Sequence, residues 1–229
     1  MSEKRRILLL GGTAEARKIA ATNIESGHQV TTSLAGRTEH PVSVPGNVRI
    51  GGFGGICGLC RYIKEHAIDL LIDATHPFAT QISANAREAC LITGIEFENR
   101  VRPAWEKSEV VRWTSVTTEQ QAIDALPRRA RAFLALGSQQ VAKLVGRDDC
   151  SYLLRMIEPP KTVPNLIDHE IIFASPGDSL QSECELLQSH GITHLICRNS
   201  GGERSFLKVE AAARLGLSII VIERPTPQV

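Results

Sequence analysis

The stretch Asp69–Ala79, DLLIDATHPFA, constrains the fold of this chain more than any other. A short apolar run, Leu70-Leu71-Ile72, leads into Asp73-Ala74-Thr75-His76-Pro77-Phe78, and a helix-compatible segment, Gln81–Leu91, follows. Pro77 lacks an N–H and has its φ preset, so it suits the first turn of that helix, with Thr75 or His76 where a cap would sit. In an open α/β sheet, ligands bind at the carboxyl end of a strand where it turns into a helix. The stretch therefore predicts one ligand-facing rim.

The same rhythm runs from the start of the chain. Arg5–Leu10 is mainly apolar and meets Gly11-Gly12-Thr13-Ala14, after which Ala14–Ile24 reads as a helix with Ala16, Ile19, Ala20 and Ile24 on one face. Strands are predicted at His28–Leu34 and Val48–Ile50, then a loop with four glycines at Gly51–Gly55 and a helix at Leu59–His66. Helix Gln81–Thr93 and strand Ile95–Asn99 complete the order β-α-β-β-α-β-α-β, the pattern of a parallel sheet with right-handed crossovers.

At Arg100-Val101-Arg102-Pro103-Ala104-Trp105 the rhythm breaks, which marks a crossing between lobes. Beyond it, strands are predicted at Val110–Trp113, Arg131–Leu136, Cys150–Ile157, Glu170–Ala174, Thr193–Cys197 and Leu217–Glu223. Helices are predicted at Thr118–Leu126, from Gly137 to Val145, at Ser179–Ser189 and at Phe206–Leu215. The expected fold is α/β, with domains 1–99 and 100–229, each a mainly parallel sheet flanked by helices.

Composition excludes several functions. Among 229 residues the net charge is +1 with no long single-sign run, which argues against nucleic-acid binding through a strong basic field. No apolar run approaches the ~18–20 residues of a membrane span. The basic start at Lys4-Arg5-Arg6 is followed by apolar residues only from Ile7 to Leu10, so no signal peptide is read and a cytoplasmic location is expected. Of six cysteines, only Cys57 and Cys60 have ligand-like spacing, and no second pair completes a zinc set, so no metal is expected.

Gly11-Gly12 would allow close backbone approach of a phosphate to the helix N-terminus, although the third glycine of the dinucleotide fingerprint is missing and a plain tight turn is the alternative. A site selective for NAD carries an acidic residue about 20 positions later. Here Thr31-Thr32-Ser33 and Ala35-Gly36-Arg37 stand there, so hydroxyls and a guanidinium favour NADP, unless Arg37 is a solvated loop charge. In the second half, Leu136-Gly137-Ser138, Ser175-Pro176-Gly177-Asp178 and Asn199-Ser200-Gly201-Gly202 end strands. The last could hold an anion, with Lys208 in the first turn of the next helix. His76 is a candidate proton donor or a capping histidine, and Asp73 a site carboxylate or a structural one. No Ser-His-Asp order or paired carboxylates point to covalent catalysis.

Together, GGTAEARKIA, DATHPFA with ISANAREAC, RPAW, LGS, and RNSGG followed by K-x-x-A-A-x-x-L-G resemble the precorrin-6A reductase family of corrin biosynthesis, over essentially the whole chain. The resemblance implies a two-lobed Rossmann-like enzyme that uses NADPH to reduce the C18–C19 double bond of precorrin-6A, giving precorrin-6B. It implies that Gly11, Gly12, Thr13 and Ala14 approach the cofactor phosphates, with Ser33, Gly36 and Arg37 at the ribose phosphate. Thr75, His76 and Pro77 would line the nicotinamide or ribose side, and Ser200, Gly201 and Gly202 would face them from the other lobe. Arg102, Arg198, Arg204 and Lys208 are the candidates for the carboxylates of the ring, and His76 and Lys208 for proton delivery. The implied partner is the tetrapyrrole, with no nucleic acid and no membrane, and with contact to neighbouring pathway enzymes left open. Two other readings of the same fold are an NADP-sensing module without turnover and a cobalt-precorrin-6A reductase. A methyltransferase is disfavoured by the missing acidic residue at the second strand end.

Overall fold

The computed structural model describes residues 4–36, 43–160 and 162–225, so the expectation placed on Arg37 lies outside the described residues. The chain clusters into two compact units that divide between Arg102 and Pro103. No helix among the described residues is long and apolar enough to cross a membrane.

The first unit runs β1 (Arg6–Leu10), α1 (Ala14–Glu25), β2 (Gln29–Leu34), β3 (Asn47–Ile50), α2 (Gly55–Glu65), β4 (Leu70–Asp73), α3 (Thr80–Thr93) and β5 (Glu96–Asn99). All pairings are parallel, in the order β3-β2-β1-β4-β5. A parallel sheet is covered on both faces, which is why β1 and β4 read as continuous apolar runs. Alternate residues serve the two faces. Leu8 and Leu10 pack with Leu59 and Ile63 of α2 and with Ala86, Ala89 and Cys90 of α3. Ile7 and Leu9 pack with Ala16 and Ala20 of α1. The strand order reverses at β1 and β4, so their carboxyl ends form the topological switch point.

The second unit runs β6 (Thr114–Val116), α4 (Glu119–Asp124), β7 (Arg131–Ala135), α5 (Ser138–Val141), β8 (Ser151–Met156), β9 (His169–Phe173), α6 (Leu180–Ser189), β10 (His194–Arg198), α7 (Glu203–Arg214) and β11 (Ser218–Ile222). Its six strands are again all parallel, in the order β6-β11-β10-β7-β8-β9, with the switch point between β10 and β7. Phe133, Leu153, Leu195, Cys197, Ile219 and Val221 face α6 and α7.

The α/β class and both parallel sheets agree with the sequence reading, with three corrections. Residues Val110–Trp113 are not a strand; the edge strand begins at Thr114, and Trp113 is buried ahead of it in the core. Pro77 does not open α3. The His76 carbonyl accepts the Ala79 N–H at 2.7 Å, placing Pro77 second in a β-turn, and α3 starts at Thr80 behind Ala79, which offers no side-chain cap. Helix α7 starts at Glu203, so Lys208 stands in its second turn rather than its first.

One ion pair is sealed inside the second unit. Arg155 of β8 donates to Glu183 Oε1 of α6 at 2.7 Å, with side chains 8% and 1% exposed, and the Gly177 N–H donates to the same oxygen at 2.6 Å. Removing one partner of such a pair strands a buried charge, whereas replacing both can be nearly neutral. Arg155→Met is expected to lower the unfolding free energy by about 3–5 kcal/mol. Arg155→Met with Glu183→Met should recover most of that loss, and urea denaturation of the single and double variants checks both.

Candidate active site

The register of the first sheet lines up one row of residues at its carboxyl edge: Arg49 opposite Ser33, Ser33 opposite Leu10, Leu10 opposite Asp73 and Asp73 opposite Asn99. Beyond this row lie the turns that the sequence singles out. Gly12 has φ +105°, with open space where a Cβ would be, and Gly11 would place a Cβ 2.7 Å from Thr32 Cγ2. Glycine at both positions lets the backbone of this turn stay bare and close to its neighbour strand. Thr13 caps α1: its Oγ1 accepts the Ala16 N–H at 3.0 Å and donates to the Ala74 carbonyl at 2.9 Å. That hydroxyl ties the glycine turn to the Asp73–Thr75 segment across the switch point.

Asp73 is 1% exposed and its Oδ1 accepts both the Thr75 N–H at 3.0 Å and the Thr75 hydroxyl at 2.7 Å. Thr75 Oγ1 also lies 3.3 Å from Ser83 Oγ of α3. The carboxylate is thus structural: it holds the strand end in its turn. His76 Nδ1 accepts the Phe78 N–H at 3.3 Å, which places the proton of a neutral ring on Nε2. At the neighbouring rim, the buried Ser33 hydroxyl accepts from Arg49 Nη1 at 2.9 Å. Gly36 has φ +69° and is exposed.

In the second unit, Asn199 stands at the end of β10 and is 2% exposed. Its Oδ1 accepts the Trp105 N–H at 2.8 Å, and its Nδ2 donates to the Trp105 carbonyl at 3.1 Å and to Glu223 Oε2 at 3.0 Å. The Trp105 indole donates to the Gly202 carbonyl at 3.1 Å, and Arg224 donates to the carbonyls of Asn199 and Pro103, both at 2.9 Å. Pro103-Ala104-Trp105 and Asn199-Ser200-Gly201-Gly202 are therefore two halves of one clamp. Glycine is required at Gly201 and Gly202, where φ is +69° and +79°. Lys208 is buried, with its ammonium on the Ser205 carbonyl and 5.2 Å from the Trp105 ring centre.

The arginines predicted to meet substrate are each set against an acid. Arg102 Nη1 lies 3.2 Å from Glu15 Oε2, Arg198 pairs with Glu119 and Arg204 pairs with Asp178. Burial pushes the Glu119 carboxyl up, but the Arg198 hydrogen bond and the backbone N–H at the start of α4 outweigh it and hold the pKa below the ordinary value.

A family model described as "Precorrin-6x reductase CbiJ/CobK" matches residues 6–229. The chain belongs to this family. It is 42% identical to a precorrin-6A reductase of Rhodobacter capsulatus over 221 residues, covering 96% of this chain and 88% of that one. A solved structure titled CobK precorrin-6A reductase superposes with a TM-score of 0.93 at 41% identity, covering 98% of this chain and 90% of the other. A cobalt-precorrin-6A reductase of Priestia megaterium is 29% identical, covering 96% and 90%.

For this precorrin-6x reductase family member, the switch point of each sheet carries the predicted motifs: GGT and DATHP in the first unit, LGS and NSGG in the second. Ser200, Gly201 and Gly202 follow β10, while Gly11, Gly12, Thr13 and Ala14 follow β1. Sequence reasoning missed Arg49, whose only signal was its register opposite Ser33, and it missed that Asn199 works inward on Trp105.

Glu223 also serves the clamp, accepting from Asn199, Ser115 and Trp113. Burial pushes its carboxyl up, but these three hydrogen bonds prevail and hold it below the ordinary glutamate range. A depressed carboxyl stabilises the fold fully above its unfolded pKa of about 4.3 and loses that contribution as pH falls through the lower folded value. The stability gap between the native chain and Glu223→Gln, measured by urea unfolding, should be full near pH ~7 and shrink below pH ~4.

Proposed function

We propose that this chain is an NADPH-dependent reductase that converts precorrin-6A into precorrin-6B by reducing the C18–C19 double bond of the macrocycle. The observation that carries the reading is the whole-length match to precorrin-6A reductases, at 42% identity over 96% of the chain. The lower identity of 29% to a cobalt-precorrin-6A reductase favours the metal-free substrate. The residues present suit a dinucleotide: a bare glycine turn at φ +105° opens at the switch point, and Ser33 rather than a carboxylate stands next to the last residue of β2.

Gly11, Gly12, Thr13 and Ala14 are the residues to hold the pyrophosphate, with Ser33, Gly36 and Arg37 at the ribose phosphate and Thr75, His76 and Pro77 on the nicotinamide side. Bound NADPH supplies the hydride. The chain's own work is to orient the ring and exclude water, because an extended conjugated macrocycle is already a good electrophile. His76 is the better of the two candidate proton donors, because an imidazolium is ordinarily a far stronger acid than a lysine ammonium and is regenerated near neutral pH. Lys208 is spoken for by the Ser205 carbonyl and the Trp105 face, which suits a role in supporting Ser200, Gly201 and Gly202. The substrate's carboxylates would engage Arg102, Arg198 and Arg204, and the reading carries a cytoplasmic location with it.

NADPH absorbance should fall only when precorrin-6A is present; binding of S-adenosylmethionine without binding of NADPH would overturn the reading. In single-turnover hydride transfer, His76→Ala is expected to slow the reaction about 100-fold. Lys208→Met should keep most of the rate. If both variants keep near wild-type rates, the proton comes from solvent.

A further inference from the structure

Among the arginines described at the edge of the first sheet, Arg49 is held by neutral partners alone. Its Nη1 donates to Ser33 Oγ and to the Gly51 carbonyl, both at 2.9 Å, and its Nη2 donates to the Gly52 carbonyl at 3.1 Å. The guanidinium carbon lies over the Phe53 ring, 3.9 Å from its centre, and 5.2 Å from the centre of Tyr62. No carboxylate among the described residues forms an ion pair with it, so its charge is undiminished. Three of its five N–H groups are used, which leaves Nε–H and one N–H of Nη2 without a partner among the described residues. Those two nitrogens form one edge of the guanidinium, the edge that grips a phosphate or carboxylate with two parallel hydrogen bonds.

The partners sharpen this. Ser33 Oγ accepts from Arg49, so its own O–H is left to donate outward. Both donors stand at the carboxyl end of β2 and β3, in register with each other, Ser33 one strand and Arg49 two strands from the glycine turn after β1. In a doubly wound sheet this is where the adenosine ribose of a dinucleotide lies, and where a carboxylate would accept from a 2′-hydroxyl. A fixed cation beside a hydroxyl has the opposite preference: it attracts a 2′-phosphate and offers nothing comparable to a diol. The Phe53 and Tyr62 rings limit the rotamers of the guanidinium, so little entropy is lost when it takes a second anionic partner.

We propose that Arg49, buttressed by Ser33, Phe53 and the carbonyls of Gly51 and Gly52, is the residue that selects NADPH over NADH by binding the 2′-phosphate. The inference rests on the NADPH reading above and makes Arg49, rather than the Arg37 that the reading places at the same phosphate, the residue that decides the preference.

The test is equilibrium titration of the full chain with NADPH and with NADH, followed by nicotinamide fluorescence. The native chain should bind NADPH more tightly; equal affinities would overturn the NADPH reading itself. Given that preference, Arg49→Gln should raise the Kd for NADPH about 30-fold, the size of a lost charged contact, and leave the Kd for NADH within about threefold. Arg49→Lys keeps the charge without the fork, and should reduce the preference roughly fivefold if the glutamine variant does not fold. An unchanged preference in either variant, or a preference abolished by Arg37→Gln and retained by Arg49→Gln, would overturn the assignment to Arg49 and leave the NADPH reading standing.

Discussion

Parallel pairing is the constraint on which the rest of this molecule depends. Every strand pairing described in both sheets is parallel, so consecutive strands cannot be joined by a tight turn at a shared end. The chain must leave each strand at its carboxyl end, cross a face and return, and the crossings supply the helices that bury that face. Apolar residues fill the middle of β1, β4, β7 and β10 because both faces are covered there. Polar residues are then pushed to the carboxyl edge, and the register decides which of them become neighbours. Leu10, Ser33, Arg49 and Asp73 stand in one row for that reason, although they are far apart in sequence.

Most of the polar residues at these edges are occupied in shaping the backbone. Asp73 takes both donors of Thr75, the Thr13 hydroxyl is used as acceptor and donor at once, and Asn199 spends its amide on the Trp105 backbone and Glu223. Buried polar groups left unpaired cost about 1–3 kcal/mol each, so such closed sets hold a turn in one conformation. A turn held this way presents its bare glycines and its few remaining donors in fixed places. That suits a reaction in which a cofactor brings the reducing equivalent and the substrate is already electrophilic. Positioning is then the larger part of what the protein contributes.

The sequence carried the architecture better than the roles. The alternation of short apolar runs with glycine or small polar turns encodes period and crossover directly, so the element order of the first unit, β-α-β-β-α-β-α-β, was legible. Boundaries failed where a local rule has two solutions. Proline's φ fits both the first turn of a helix and the second place of a β-turn, and only the His76 carbonyl reaching Ala79 decides between them. Trp113 reads as strand because it is aromatic and follows valines, yet its side chain is drawn into the core before the edge strand begins. Helix α7 extends back to Glu203 because Gly202 takes a positive φ that starts it early, which moves Lys208 inward by a turn. The pairings of Asn199 with Trp105 and of Arg155 with Glu183 span tens of residues and follow from strand order, which no local pattern encodes.

The arginines show how the same limit acts on function. Sequence offers charge and position, and on those grounds Arg102, Arg198 and Arg204 look equivalent to any other cation near a motif. What distinguishes them is the partner. Arg102, Arg198 and Arg204 each meet a carboxylate, and their fields are partly cancelled where they stand. An incoming anion must compete with that carboxylate or share the cation with it, at an electrostatic cost that grows as water is excluded. Arg49 is oriented just as firmly, but by a hydroxyl, two carbonyls and two aromatic rings, none of which cancels its charge. An arginine fixed by neutral partners is a preorganised anion site, whereas one fixed by an acid is first of all a structural tie. By that criterion the paired arginines stabilise their own units before they meet any ligand, and the residue with the fewest sequence signals is the one best prepared to bind one.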